Sequence, residues 1–547
     1  MSAPAPSFRK SPAQSGDFVE SIDPATAEQI ARFQAIPISE IPAAFVRARE
    51  AQAAWAAMSL TERCAFLRRF QAVVFDRRKE IADIICRETG KPRAEAIFAE
   101  IMFALDTAGF LARKSPRFLK TQRVPHHNWA LKSKRGRLHY EPLGLVALIT
   151  PWNYPFAIPV GQVLPALVAG NAVLLKPSEL TSWTGALIAE LSEQAGAPAG
   201  LVQVLQGGGK VAAAIIEARP DKVFFTGSVE TGRKVAEACG RHLIPSVLEL
   251  GGKDPMVVLA DADIDKASSA AIWGGLTNCG QACLSVERVY VERSVAERFI
   301  SLCVQKTRDL RVGSSADSET DIGPMVRNQE IKRVEAHLRD AVSRGAKILI
   351  GGVRTPEKGA NFFAPAIVTN VDHTMRLMRE ETFGPVIAIQ VVADDEEAVR
   401  LANDSEFGLS ASVWTRDAKR GRKIASRLRV GSVMVNDVAS YYGITEAPHG
   451  GRGASGWGCV HSRLGLLEMT HVKYIDEELL PRFAKSWWYR YGDGLAEAAD
   501  RFTEILFAPS WKRRWKALAS DGHSLMPLFK KSSVSKLQKN GRSRSES

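Results

Sequence analysis

The stretch LGLVALITPWNYPFAIPVGQVLPALVAGNAVLL, residues 143–175, is the most apolar part of the chain, and prolines and glycines interrupt it. Neither this stretch nor any other reaches the roughly 18 uninterrupted apolar residues that a membrane-spanning helix needs. It therefore predicts buried strands joined by loops. Gly144-Leu145-Val146-Ala147-Leu148-Ile149 at its start and Ala172-Val173-Leu174-Leu175 at its end are the first two strand candidates.

Two series of strand candidates extend outward from this stretch. Residues 202–205 and 222–225 complete the first series, and segments rich in Ala, Leu and Glu separate its members. Such alternation is typical of a parallel sheet with crossover helices. A second series follows Glu249, and its members are residues 255–259, 288–291, 347–350 and 386–389. The chain is therefore expected to be an α/β protein with two α/β domains.

The pattern before residue 143 is helical. Residues 41–58 and 61–88 carry apolar residues at helical spacing, and Gly90 with Pro92 forms a typical helix stop. The chain is thus expected to open with helices. The first 16 residues are rich in Ser, Pro and Ala and lack the apolar segment of a secretory signal, which predicts a disordered leader, residues 1–16.

Length and composition exclude several classes of protein. A chain of 547 residues is too long for one simple core, so two or more domains are expected. The hydrophobic share of 45% and the charged share of 24% are ordinary for a soluble globular protein. Seven irregularly spaced cysteines without a CxxC pair indicate neither a disulfide framework nor a metal site. A reducing compartment, the cytoplasm, follows as the expected location.

The positive charge is concentrated at the end of the chain. Residues 481–547 hold 14 Lys and Arg against 6 Asp and Glu, so +8 of the net +13 lies there, and the body gives no indication of nucleic-acid binding. This extension also contains Trp487, Trp488, Trp511 and Trp515. Basic helices with exposed aromatic residues can lie at a membrane interface. Packing on the body or on a neighbouring subunit is an equally weighted alternative, and residues 530–547 are expected to be disordered.

A glutamate and a cysteine indicate covalent chemistry. Glu249-Leu250-Gly251-Gly252-Lys253 precedes Cys283 by 34 positions, counted from Glu249. A thiolate is a strong nucleophile, and a separate carboxylate can activate the water that releases a bound acyl group. A lone cysteine is more often a buried small hydrophobe. The flanking Gly280-Gln281 and the carboxylate at the end of an apolar run favour catalysis instead.

The remaining polar candidates are weaker when taken singly. Asn153 could donate its amide N–H to an oxyanion, although Asn between two prolines is also a common turn residue. No GxGxxG motif directly follows one of the strand candidates, as a dinucleotide-binding fingerprint requires. Gly227-Ser228-Val229-Glu230-Thr231-Gly232 follows a strand candidate and opens a helical segment, so its backbone N–H groups could face a pyrophosphate.

Taken together in chain order, these motifs resemble the NAD(P)-dependent aldehyde dehydrogenase superfamily, and the resemblance runs from about residue 20 to about residue 475. The further motifs that support it are Pro151-Trp152-Asn153-Tyr154-Pro155, Lys176-Pro177-Ser178-Glu179 and Glu381-Thr382-Phe383-Gly384-Pro385. The resemblance implies an aldehyde dehydrogenase-like α/β fold and a homo-oligomer, dimer or tetramer. Its implied parts are a Rossmann-like cofactor-binding domain (residues 17–123 and 141–252), a catalytic domain (253–435), a β oligomerisation arm (124–140 and 452–475) and the C-terminal extension (481–547).

The resemblance also implies a reaction and a set of roles. An aldehyde would be oxidised to a carboxylic acid, with Cys283 as nucleophile, Glu249 as base and Asn153, with the backbone N–H of Cys283, as oxyanion donor. The implied cofactor-binding residues are Trp152, Lys176, Glu179, Gly227, Ser228, Gly232, Glu381 and Phe383. A carboxylate at Glu179 would repel a 2′-phosphate, which favours NAD over NADP. An NADP-preferring semialdehyde dehydrogenase and a catalytically retired scaffold of the same fold are the alternatives.

The sequence departs from this pattern near the substrate tunnel. Pro448-His449-Gly450-Gly451 stands where many members carry Pro-Phe-Gly-Gly, and Gln162 stands where many carry lysine. These differences affect the tunnel and proton relay, so the identity of the aldehyde does not transfer by analogy.

Overall fold

The computed structural model describes residues 18–128, 131–480, 485, 487–489, 491–519 and 522–528. The predicted disordered segments, residues 1–16 and 530–547, lie outside these ranges. The described residues form two compact units, a larger unit within 1–120 and 140–472 and a smaller unit within 121–139 and 473–547.

The strands are β1 Phe18–Ile22, β2 Gln29–Gln34, β3 Gln122–Val124, β4 Lys134–Pro142, β5 Leu145–Ile149, β6 Ala172–Lys176, β7 Val202–Val204, β8 Lys222–Thr226, β9 Ser246–Glu249, β10 Asp254–Val258, β11 Val286–Glu292, β12 Lys347–Ile350, β13 Ala366–Thr369, β14 Val386–Val392, β15 Phe407–Gly408, β16 Ser410–Trp414, β17 Ser432–Val435, β18 Arg452–Gly453, β19 Gly456–Trp457 and β20 Thr470–Glu478.

The helices are α1 Ile41–Ala57, α2 Leu60–Thr89, α3 Arg93–Glu95, α4 Met102–Phe118, α5 Ala157–Ala169, α6 Ser182–Gln194, α7 Gly209–Glu217, α8 Val229–Arg241, α9 Ile264–Leu276, α10 Arg293–Asp309, α11 Asn328–Ser343, α12 Arg376–Arg379, α13 Asp395–Asn403, α14 Ala418–Ala425, α15 Ser462–Glu468, α16 Leu495–Phe507 and α17 Trp511–Ala519. A π-helical turn, Ala96–Ile101, joins α3 to α4.

Helix α2 shows how local sequence sets the element boundaries. The Ser59 hydroxyl accepts a hydrogen bond from the Glu62 backbone N–H, and the Glu62 carboxylate accepts one from the Ser59 N–H. This capping box satisfies N–H groups that have no partner within the helix. Gly90 ends the helix with a φ of 75°, in the left-handed region that glycine favours. The predicted helix stop at Gly90 is therefore confirmed.

The first large sheet has six strands in the order β19-β9-β8-β5-β6-β7. Strands β5 to β9 are parallel, and β19 joins the edge antiparallel to β9. Both β5 and β6 are buried along their whole length, because helices cover both faces of the sheet. Burial on two faces explains the continuous apolar runs in the sequence.

The second large sheet has seven strands in the order β12-β13-β14-β11-β10-β16-β17. Strand β12 is antiparallel to β13, and the other neighbours are parallel. The helices around it, among them α9, α10 and α11, form a second hydrophobic core. The expectation of two parallel sheets with crossover helices is confirmed.

The start of the chain differs from the expectation. Strands β1 and β2 pair as an antiparallel hairpin before α1, with Phe18 opposite Gln34, so the prediction that the chain opens with helices was wrong. Most of the side chains of this hairpin are at least partly exposed. A strand pair without a buried face leaves little apolar periodicity for the sequence to show.

The smaller unit contains a three-stranded sheet in the order β20-β4-β3, followed along the chain by α16 and α17. Within the range 452–475 that was predicted as part of the arm, β18 and β19 pair instead with β15 and β9 of the larger unit. The domain boundaries as a whole stay a prediction. None of the helices in the described parts of the chain is long and apolar enough to cross a membrane.

Candidate active site

One cavity of about 560 Å³ lies at the carboxyl ends of the parallel strands of the six-stranded sheet. Parallel strands that end at one edge bring their following loops together, which is where α/β proteins bind ligands. Ten of the eleven predicted site residues line this cavity: Trp152, Asn153, Lys176, Glu179, Gly227, Ser228, Glu249, Cys283, Glu381 and Phe383. The predicted cofactor-binding Gly232 does not line it.

The loop that carries Cys283 has an unusual backbone. Asn278, Cys279 and Gly280 have φ angles of 51°, 56° and 69° in succession. Non-glycine residues rarely adopt such angles, so the surrounding structure must hold them in place. Glu95 does so, because its carboxylate accepts hydrogen bonds from the Thr277 hydroxyl at 3.0 Å and the Asn278 backbone N–H at 2.9 Å.

Asn153 is fixed against this loop by a buried network. Its side-chain amide donates to the Gln281 carbonyl oxygen at 3.0 Å. Its own backbone carbonyl accepts from the Asn278 amide at 3.0 Å and from the Lys91 ammonium at 2.8 Å, and Lys91 forms a buried ion pair with Glu100. An amide has two N–H donors. One anchors the loop through the Gln281 carbonyl oxygen, and the other is available to a ligand in the cavity that Asn153 lines.

Cys283 is partly accessible from the cavity. Burial raises the pKa of its thiol well above the ordinary value, and the nearby carboxylates of Asp254, Glu381 and Glu249 raise it further. The resting group is therefore a neutral thiol. A base or a bound positive charge must accompany its conversion to the reactive thiolate.

Glu249 ends strand β9 and is 4% exposed. Neither oxygen of its carboxylate accepts a hydrogen bond from any described residue. The imidazole of His449 lies nearby, with its Nε2 3.4 Å from Oε2 of Glu249. Burial raises the pKa of Glu249 well above the ordinary carboxyl value. A carboxyl group in this state suits proton transfer near neutral pH better than an exposed one.

The glycines after Glu249 permit two close approaches. A Cβ atom on Gly251 would lie 2.3 Å from the Glu381 carboxylate, and one on Gly252 would lie 2.2 Å from the Cys283 carbonyl oxygen. Any larger residue would push these loops apart. The Gly-Gly pair therefore brings the loops of Cys283 and Glu381 to the strand end that carries Glu249.

The part of the cavity at the end of β6 and the start of α8 contains several of the predicted cofactor-binding residues. The Lys176 ammonium, at the end of β6, lies 3.4 Å from the Glu179 carboxylate, and burial lowers the pKa of Lys176. Ser228 caps α8, with its hydroxyl accepting from the Thr231 N–H, so the N-terminus of this helix faces the cavity. Gly232 instead packs against Leu250, where a Cβ atom would lie 2.5 Å from the leucine side chain.

The part of the cavity beside Gly251 is lined by Glu381, Phe383 and Trp152. The Glu381 carboxylate accepts from the Gly252 N–H at 3.0 Å, and burial raises the pKa of Glu381 to about 8. Phe383 has a φ of 53°, and its ring meets the Trp152 ring edge-on at 5.5 Å between centroids. The chain thus offers a hydrogen-bond acceptor and two flat apolar surfaces in this part of the cavity.

Sequence reasoning missed several residues that shape the site. The buried ion pair of Lys253 and Glu287 holds the backbone N–H groups of Thr382 and Phe383. Helix α11 and the residue before it contribute Arg327, Glu330 and Arg333 to the cavity lining. A charged residue inside an apolar strand, such as Glu287 in β11, was the available indication of the ion pair. The α11 residues had none, because their spacing is that of an ordinary amphipathic helix.

Comparisons with known proteins agree with this geometry. A family model described as "Aldehyde dehydrogenase family" matches residues 11–475. A 4,4'-diapolycopene aldehyde oxidase from Methylomonas sp is 39% identical over 89% of this chain and 91% of its own length. A putative succinate-semialdehyde dehydrogenase [NADP(+)] 2 from Mycobacterium tuberculosis (strain H37Rv) is 40% identical over 80% and 84%. The solved NAD-dependent aldehyde dehydrogenase from Sinorhizobium meliloti superposes with a TM-score of 0.82 at 34% identity, over 86% of this chain and 93% of its own.

Proposed function

The chain belongs to the aldehyde dehydrogenase family of NAD(P)-dependent oxidoreductases, and we propose that Cys283, Asn153 and Glu249 are its catalytic residues. The observation that carries this proposal is their convergence on one cavity, with a carboxylate that has no hydrogen-bond donor among the described residues. Buried carboxylates normally have partners, and one without them marks a site of function. The same convergence disfavours a retired scaffold.

In the first half of the reaction the Cys283 sulfur adds to the aldehyde carbon. A C–S bond forms, and the carbonyl oxygen gains negative charge. The second N–H of Asn153 and the backbone N–H of Cys283 stabilise that oxygen. The α8 N-terminus, Lys176, Glu179 and Glu381 would hold a dinucleotide, which would supply the acceptor for the hydride that the thiohemiacetal carbon loses when it becomes a thioester.

In the second half, Glu249 removes a proton from water, and the water oxygen attacks the thioester carbon on Cys283. The C–S bond breaks, the carboxylic acid leaves and the sulfur is regenerated. A carboxylate with a raised pKa is matched to this proton transfer.

The test is Cys283→Ala, with Cys279→Ala as the matched control because Cys279 is a buried thiol four residues away. Turnover of Cys283→Ala should fall below about one thousandth of wild type while cofactor binding, followed by fluorescence titration, is retained. Cys279→Ala should keep its turnover. Substantial NADH formation by the Cys283 variant would remove that residue from its role.

NAD is the proposed preferred cofactor, and NADP is the alternative. Glu179 supports NAD, because a second negative charge from a 2′-phosphate would be repelled by its carboxylate. The names of the relatives point in both directions, since the mycobacterial protein is named for NADP and the Sinorhizobium structure for NAD.

An aldehyde with an apolar neighbouring group is the proposed substrate class. Leu284, Leu409 and Tyr441 form a small apolar cluster that includes Cys283 and Tyr442. This surrounding favours an apolar chain over the acidic group of a semialdehyde, the alternative that the mycobacterial relative's name suggests. A comparison of kcat/KM for hexanal, benzaldehyde and succinate semialdehyde decides between them; a preference for the acidic aldehyde would reverse the assignment.

Assembly and location complete the proposal. The sheet of β3, β4 and β20 is the proposed oligomerisation arm of a dimer or tetramer. All seven cysteines are free, which agrees with a reducing, cytoplasmic location.

Trp511 and Trp515 on the basic helix α17 are 67% and 60% exposed, which supports peripheral contact with an anionic membrane.

Liposome co-sedimentation tests the membrane contact. Trp511→Ala with Trp515→Ala should weaken binding to anionic liposomes, whereas Trp273→Ala, another exposed tryptophan, should not. If wild type ignores anionic liposomes at low salt, or if the double variant dissociates the oligomer instead, the tail is a packing element.

A further inference from the structure

The imidazole of His449 lies beside the Glu249 carboxylate. The two side chains are 3% and 5% exposed, and His449 Nε2 lies 3.4 Å from Glu249 Oε2. That distance is long for a hydrogen bond. In enzymes without substrate such contacts are often long and shorten when the reacting groups are bound.

The imidazole of His449 is held in one orientation. Its backbone pairs with Val460, with N–H to oxygen distances of 2.9 and 2.8 Å in the two directions. The Tyr442 ring packs edge-on against it at 5.0 Å between centroids. Its Nδ1 lies 2.9 Å from the Tyr441 hydroxyl. The ring is therefore clamped with Nδ1 toward Tyr441 and Nε2 toward Glu249.

We propose that His449 is a positioning residue that donates a hydrogen bond from Nε2 to the ionised Glu249 carboxylate, and that Tyr441 fixes the required tautomer. A hydroxyl that donates to Nδ1 leaves the ring hydrogen on Nε2, which faces Glu249. This inference rests on the proposed role of Glu249 as the base. It adds a residue that controls how readily that base ionises.

The electrostatics of the ring agree with a neutral donor. Burial lowers the pKa of His449 to about 4, so the imidazole is uncharged at neutral pH. A neutral N–H that donates to a carboxylate favours the ionised form of that carboxylate. His449 thus offsets part of the burial that raises the pKa of Glu249.

Other titratable groups lie around Glu249 and His449, and their protonation also affects the pH profile of turnover. They are Cys283, Asp254, Tyr441, Tyr442, Cys459 and His461. Burial raises the pKa of Asp254 to about 8, so a limb of the wild-type pH profile cannot be assigned from its midpoint alone. The shift produced by a variant identifies the group.

The test is the pH profile of steady-state turnover in His449→Phe and His449→Gln. Phenylalanine fills the same space without a donor, so the acidic limb should move up by about one to two pH units. Turnover at pH 7 should fall about 10- to 100-fold and recover at high pH. Glutamine has an N–H donor and should restore part of the loss. Tyr441→Phe should move the limb in the same direction by less.

Three outcomes overturn the proposal: an unmoved acidic limb in His449→Phe, an equal loss at every pH, or no advantage of Gln over Phe. Thermal unfolding of each variant shows whether it is folded, and if Phe does not fold, the Gln and Tyr441→Phe profiles decide. Glu249→Gln separates this failure from that of the proposed function. If the acidic limb persists in Glu249→Gln, Glu249 is not the base, whatever His449 does.

Discussion

Glu249 and Glu287 are two buried glutamates on two different sheets, and they differ in one respect. Glu287 belongs to β11 of the seven-stranded sheet and is 2% exposed. It accepts hydrogen bonds from the Lys253 ammonium and from the backbone N–H groups of Thr382 and Phe383. Glu249, at the end of β9, is 4% exposed and accepts none from the described residues.

The contrast separates a carboxylate that is paired within the fold from one that is not, and the second is the proposed base. Burying a charge is costly unless it is paired and hydrogen-bonded, and Glu287 meets that condition. Glu249 does not, so stability does not explain its location, whereas the proposed role as a base does. Lys253 follows Glu249 by only four residues in the chain. Its ammonium nevertheless pairs with Glu287 of the seven-stranded sheet.

The comparison predicts that removing the charge of Glu249 damages catalysis most. Glu249→Gln should reduce steady-state turnover by about 10²- to 10⁴-fold, because water loses its base. The first burst of NADH should remain, since the addition and oxidation steps precede hydrolysis. Stopped-flow absorbance measures both phases. Equal loss of burst and steady state would mean that Glu249 acts before the thioester forms.

Glu287→Gln should damage stability instead. It leaves the buried Lys253 without its carboxylate, and breaking a buried pair in this way costs about 3–5 kcal/mol in the free energy of unfolding. Denaturant unfolding measures the loss. Glu237→Gln is the control, because its ion pair with Arg241 is exposed and should contribute at most about 1 kcal/mol. A Glu287 variant as stable as the control would mean that the pair is not structural.

The pH dependence of stability should also distinguish the two glutamates. The folded-state pKa of Glu249 is raised, so its contribution is favourable below the unfolded pKa and is lost as the pH rises through the folded one. Glu249→Gln lacks this loss. Its melting temperature should match wild type near about pH 4, below the unfolded pKa, and exceed it near about pH 9, by the equivalent of about 1–3 kcal/mol. A gap that shrinks as the pH rises would show that Glu249 is paired in solution.

Much of the fold could be predicted because the apolar sequences of the buried strands reflect their burial. The 172–175 prediction lies inside the fully buried β6, and the 386–389 prediction lies inside the buried part of β14. The β1–β2 hairpin could not be predicted in the same way, since its side chains face solvent on most positions. Apolar periodicity reports burial and is weak where an element packs little.

The residues of the candidate active site also differ in how far the sequence could predict them. Glu249, Cys283 and Asn153 follow apolar strands or stand in short motifs, and the structure brings all three to the cavity. Glu287 and His449 were visible in the sequence as a charge inside an apolar strand and as a departure from the family pattern. Their partners could not be predicted, because the pairs form by tertiary contacts across 34 and 200 positions of the chain. Gly232 was assigned to the cofactor from a motif, whereas its close neighbour is Leu250.

Glu179 gives the comparison a third carboxylate, one whose side chain is 48% exposed at the same sheet edge as Glu249. Solvent screens the charge of Glu179, so replacing Glu179 should have a smaller effect than replacing Glu249 or Glu287. Glu179→Gln should raise the ratio of kcat/KM for NADP to that for NAD by about tenfold, equivalent to about 1.4 kcal/mol, because repulsion of the 2′-phosphate is removed. Glu193→Gln, an exposed change on α6 outside the cavity lining, should leave the ratio unchanged. If wild type already prefers NADP, the neighbouring Lys176 outweighs Glu179 at this edge, and the charge of a half-exposed carboxylate does not select the cofactor.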